Sequence, residues 1–134
     1  MAAAPIFVGT AKNAFASTGL TANTALDGTG TVVTLLTAGA SGSRIQRIRL
    51  WHLGTNVATV VRLFINNGST NGTAANNALI QEVAMAANTI SQTAASTQVE
   101  LNVDIPLAAT YKLNCTIGTT VAAGIMVSID YGDF

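Results

Sequence analysis

Charge is the scarcest commodity in this chain. Only 9% of the 134 residues are Asp, Glu, Lys or Arg, against about 25% in an average soluble protein. Six basic side chains cancel six acidic ones. A surface so poor in charge has no net repulsion to keep molecules apart, and it tends to associate. Scattered basic residues with zero net charge exclude general nucleic-acid binding, which draws on clustered Lys and Arg. Cysteine is nearly absent. Cys115 is alone, which excludes an internal disulfide and a Cys-cluster zinc site and fits folding in a reducing compartment. His52 is also alone, and a single histidine makes neither a metal site nor a triad. No apolar run approaches the roughly 18 residues of a membrane helix, so no membrane partner is expected. Met1 to Pro5 carries no basic residue, and no continuous apolar stretch precedes Lys12, so no secretory signal is expected.

Thr, Asn, Ser, Ala and Gly take the place of charge, threaded through short stretches of alternating apolar residues, the mark of half-buried strands. In Gln98 to Ile105, Val99, Leu101, Val103 and Ile105 point one way and Gln98, Glu100, Asn102 and Asp104 the other. Pro106 is expected to stop this strand. The same pattern places Tyr111, Leu113, Cys115 and Ile117 inward and Lys112, Asn114 and Thr116 outward, and it recurs over Ile125 to Tyr131. Thr31 to Thr37 is apolar on both sides. Asn56 to Asn66 puts Val57, Val61, Leu63 and Ile65 on one side and Val60, Arg62 and Phe64 on the other. Leu79 to Met85 and the segment Arg47 to Leu53 also read as strands, and Ala84 to Ala95 reads as loop. About eight strands predict one all-β domain, a jelly-roll-like β-sandwich, with an immunoglobulin-like sandwich as the alternative. Residues 1–17 read as an N-terminal arm or edge strand, and residues 18–134 as the sandwich. The loop from Asn66 to Asn77 holds two Asn-Gly pairs and is long for a hairpin. Such loops often bind something, though a solvated excursion is commoner.

No catalytic constellation is present, so the chain is not expected to be an enzyme, and no cofactor or metal is expected. Arg44, Arg47, Arg49 and Arg62 are four of the six basic residues. Period two places Arg47, Arg49 and Trp51 on one side of a strand. Arg47, Arg49, Trp51, His52, Arg62 and Phe64 form the candidate protein interface. Pairing of the arginines with Glu82, Glu100 or Asp104, or between subunits, is their commoner role. Cys115 falls on an inward side and reads as a core thiol.

The run from Ile45 to Gly68, with its strand ending in His52-Leu53-Gly54-Thr55-Asn56 and a second strand ending in Arg62-Leu63-Phe64-Ile65-Asn66, resembles small virion structural proteins of tailed bacteriophages. Ala122-Ala123-Gly124-Ile125 and Asp130-Tyr131-Gly132-Asp133-Phe134 are similar to segments of the same proteins. The resemblance implies a head decoration (cement) or other minor capsid protein. Such a protein is a small β-sandwich, often a homotrimer, made in the host cytoplasm and carried on the capsid exterior. Its partners would be the major capsid protein and its own copies. It brings no catalytic residue. The alternative is a tail or fibre module that binds a receptor or carbohydrate, against which the low aromatic content counts.

Overall fold

The computed structural model describes residues 8–134, and the Ala-rich start of the expected arm lies outside them. Eight strands follow one another: β1 (Thr10–Ser17), β2 (Val33–Thr37), β3 (Ser43–His52), β4 (Thr59–Asn66), β5 (Asn77–Met85), β6 (Gln98–Leu107), β7 (Lys112–Ile117) and β8 (Ile125–Asp133). They form two four-stranded sheets, ordered β1-β8-β3-β6 and β2-β7-β4-β5, and every pairing is antiparallel. The first strand pairs with the last, the second with the seventh, the third with the sixth and the fourth with the fifth. That nesting is a long antiparallel hairpin rolled up on itself, the double Greek key of a jelly roll. It differs from the ABED and CFG sheets of an immunoglobulin sandwich. Among the described residues the only helical segment is a 3₁₀ turn, Ala74–Asn76.

The alternating residues of the sequence supply the filling. Ile48 and Leu50 of β3, Val61 and Leu63 of β4, Leu113, Cys115 and Ile117 of β7, and Ile125, Val127 and Ile129 of β8 are buried in one core between the sheets. Three bulges alter the simple period. At Leu35 an extra residue in β2 interrupts its register with β7. Consecutive Leu35 and Leu36 are therefore both buried, on a strand at the edge of its sheet, which explains why this segment is apolar on both sides. At Gln46 the register of β3 slips and the phase inverts. Ser43 and Ile45 are buried before it, and Ile48, Leu50 and His52 after it. The third lies in β5 opposite Leu63 and Phe64.

Pro106 does not end its strand. β6 continues through Pro106 to Leu107, with Pro106 opposite Arg44. β6 is an edge strand, where a residue without an N–H can face the open side.

The outer sides of the two sheets differ. The β4–β5 loop and the long β1–β2 connection lie over the second sheet and are tied to each other there. The Asn71 side-chain amide donates to the carbonyl oxygens of Gly28 (3.2 Å) and Gly30 (2.7 Å), and that of Asn77 donates to the Asp27 carbonyl at 3.0 Å. Among the described residues the first sheet carries no such roof.

Candidate docking face

The bulge at Gln46 turns Arg44 and Arg47 to the same side of β3, and from Arg47 onward the period of two adds Arg49 and Trp51. The flanking strands complete rows across the first sheet. Asn13, Asp130, Arg47 and Asn102 make one row. Phe15, Ser128, Arg49 and Glu100 make the next, and Ser17, Met126, Trp51 and Gln98 the third. All four strands contribute to this outer side.

Its charges are neutralised within the chain. Arg49 lies between Glu100 (3.6 Å) and Asp130 (3.3 Å), and Arg47 lies 3.5 Å from the other Glu100 oxygen. The Asn13 side-chain amide donates to Asp130 at 2.9 Å, and Arg44 makes a forked pair with Asp104. Three cations therefore meet three anions, and a chain of polar contacts crosses from β1 through β8 and β3 to β6. With Lys12–Asp133 and Arg62–Glu82, every charged side chain among the described residues except Lys112 and Asp27 has an opposite partner. Long-range electrostatic steering by this face is correspondingly weak.

The apolar part of the face is Phe15, Met126 and Trp51. Phe15 is 72% exposed, and Met126 and Trp51 are half-buried. Phe15 and Met126 escape a reading based on apolar phase alone, because both stand out of phase with the core. The signal was an aromatic set between the inward Ala14 and Ala16, and a methionine set between Ile125 and Val127.

The candidate interface residues divide. Arg47, Arg49 and Trp51 come together on the open first sheet. Arg62 points outward on the second sheet, bonds Glu82 at 2.8 Å and is largely covered. Phe64 has the register of that same side but is fully buried and lies outside the main core. His52 points inward and is 4% exposed. Its Nε2–H donates to the Ala86 carbonyl (2.8 Å) and its Nδ1 accepts from the Asn56 amide (3.0 Å). Both ring nitrogens are thereby occupied in the neutral form. Neither His52 nor Phe64 offers surface to a partner. Cys115 is buried in the core, and burial pushes its thiol up to about 12, so it has no thiolate with which to react. Among the described residues no three His, Cys, Asp or Glu side chains are grouped to hold a metal, and no helix is long and apolar enough to cross a membrane.

Three carboxyls sit below the ordinary carboxylate range. Hydrogen bonds from Arg44 lower Asp104, bonds from Lys12 and then Ser43 lower Asp133, and the Thr29 hydroxyl and N–H lower Asp27. The folded state thus favours their charged forms. The stability they add is present above the unfolded value near pH 4 and is lost as the pH falls through the folded values. The thermal midpoint should be level from neutral pH to about pH 5 and drop below about pH 4, by a modest amount because these groups are exposed. A midpoint that rises on acidification would contradict this assignment.

No family model and no curated protein matches this chain. The solved structures similar to it include three viral chains. A chain in the cyanophage Pam1 capsid asymmetric unit is 15% identical, with a TM-score of 0.44 over 100% of this chain and 94% of that one. A chain of infectious bursal disease virus, Gt strain, is 12% identical at a TM-score of 0.35, over 98% of this chain and 38% of that one. The corresponding values for the Gx strain are 12%, 0.33, 90% and 32%. It is the strand order that assigns the jelly roll.

Proposed function

We propose that this chain is a non-enzymatic structural protein of a virion, a decoration (cement) protein. It lies on the capsid exterior between major capsid subunits and ties them together, and it works as a homotrimer. Jelly rolls serve viral capsids, lectins and cupins alike, so the fold leaves the role open. The observation that carries the reading is the outer side of the first sheet, which no loop among the described residues covers. It presents Phe15, Met126 and Trp51 beside charges already satisfied within the chain. Such a face docks by apolar and backbone contact without first stripping unpaired charges of water. The sequence resemblance to small virion proteins of tailed phages points the same way.

Particles of the parent virus prepared without this protein provide the test. Added protein should bind them to saturation and raise the temperature at which they release their genome. A Phe15→Ser/Trp51→Ala variant with an unchanged circular dichroism spectrum should bind at least about tenfold more weakly. A native mass near three times 13.6 kDa is expected for the free protein or for the protein eluted from particles. Folded protein that fails to bind the particles would overturn the reading. The runner-up, a receptor- or sugar-binding module, draws its support from a polar cavity on the second sheet.

A further inference from the structure

Between the outer side of the second sheet and the β4–β5 loop lies a cavity of about 210 Å³. It is smaller than the roughly 300–1,000 Å³ that drug-sized ligands occupy, a size that suits one sugar ring. Its floor is Thr34 of β2 with Lys112 and Asn114 of β7, and its wall is the run Gly68 to Asn71. Among the described residues no Asp, Glu or aromatic side chain lines it.

Two groups in this cavity have no partner among the described residues. Lys112 is the one cation that faces no carboxylate. Asn114 is 3% exposed, and its amide oxygen accepts the Thr34 hydroxyl at 2.9 Å. No acceptor takes its amide nitrogen. That nitrogen is not sealed off: it keeps access to the cavity and is free to donate to a group bound there. The cavity therefore offers an ammonium and an accessible amide donor two residues apart on β7, in a lining of hydroxyl, amide and backbone groups together with the apolar Val32.

That wall is already set. The Asn66 side-chain oxygen accepts from the Gly68 N–H at 2.9 Å, and the Asn67 oxygen accepts from the Ser69 N–H at 3.1 Å. The Asn76 amide donates to the Thr70 carbonyl at 2.9 Å, while Asn71 is clamped to the β1–β2 connection. A loop fixed by its own bonds has little ordering left to lose on binding.

We infer that this cavity is a binding site for a carboxylated monosaccharide unit of the uronic acid type. Lys112 and the Asn114 amide take the carboxylate, and Thr34, Ser69 and Thr70 meet ring hydroxyls. The paired donors and unmatched positive charge select an anion. The hydroxyl- and amide-rich wall selects a ligand with many hydroxyls over an apolar one. The site does not depend on the capsid reading, since it lies on the opposite sheet from the docking face.

The test is a titration of the isotope-labelled full chain with glucuronic acid, followed by amide NMR, with glucose and inorganic phosphate as controls. Glucuronic acid at millimolar concentration should shift the Asn114 side-chain amide and the backbone of residues 68–71 and 112–114, while glucose and phosphate should not. Lys112→Met, which removes no ion pair, should keep the wild-type unfolding temperature and weaken binding about tenfold or more. Ser69→Ala, a second folded variant, should weaken it by a smaller factor. The inference is overturned by shifts elsewhere on the chain, by equal response to phosphate or glucose, or by no response to glucuronic acid. Unaltered affinity in Lys112→Met would also overturn it.

Discussion

Replacing Phe64 by alanine lowers the stability of the isolated chain by about 3–5 kcal/mol. Phe64 has no exposed surface, yet it belongs to the outer side of β4, beside Arg62 and opposite Asn114 and Leu79. Its ring is wholly enclosed by the chain yet apart from the main core, so truncation leaves a void. Partial collapse around it would bring the loss toward the lower end of the range. Set against a total stability of roughly 5–15 kcal/mol, the change is large. Denaturant unfolding at unchanged slope reads it directly. The exposed Phe15→Ser serves as the contrast and should move stability by no more than about 0.5 kcal/mol. A loss below about 1 kcal/mol for Phe64→Ala, small beside the usual cost of deleting a buried Phe, would put Phe64 back on the surface and restore it as an interface residue.

Asn56→Leu should cost about 3 kcal/mol or more, since three buried groups lose their partner at once. Asn56 is 4% exposed. Its amide nitrogen donates to His52 Nδ1 (3.0 Å) and to the Gly124 carbonyl (2.7 Å), and its oxygen accepts from the Ala123 N–H (2.8 Å). Its backbone bridges Asn88. One side chain thus joins the end of β3, the start of β8 and the segment after β5. Asn56→Asp tests the same point without a change of shape. The carboxylate can still accept from Ala123, but it cannot donate to Gly124 or to a neutral His52, so it should be nearly as damaging. Hydrogen exchange should speed first over Leu53 to Ala58 and Ala86 to Asn88. Leucine tolerated at position 56 without loss would mean that this polar cluster does not hold the end of the sandwich together.

Alternation made the strands of the second half legible. β6, β7 and β8 each place their apolar residues on one side for five residues or more, and each packs as that pattern predicts. The shared side of Arg47, Arg49 and Trp51 was legible for the same reason, and Glu100 was among the foreseen partners of the arginines. Phe64 shows where the signal ends. Its phase correctly gave the outward side of β4, but outward equals exposed only where no loop lies on top. The path of the β1–β2 connection is set by bonds such as Asn71 to Gly30, between residues 41 apart. Pro106 misled because a proline stops a central strand and is tolerated in an edge strand, and strand order is not written locally. Asn56 carried no local mark at all, because its three partners are assembled by tertiary contact.

The nested pairing also governs when this protein can acquire its shape. β8 is the last of the eight strands, yet it lies inside its sheet, between β1 and β3. Neither β1 nor β3 has its full set of ladder bonds until β8 arrives. On a ribosome the first strand waits through the synthesis of everything between, its Phe15 edge open to other chains, since unpaired edges of this kind invite mispairing. Folding from denaturant should likewise fall in the millisecond-to-second range typical of long-range β pairing, with crowded expression favouring aggregation over a partly folded, soluble form.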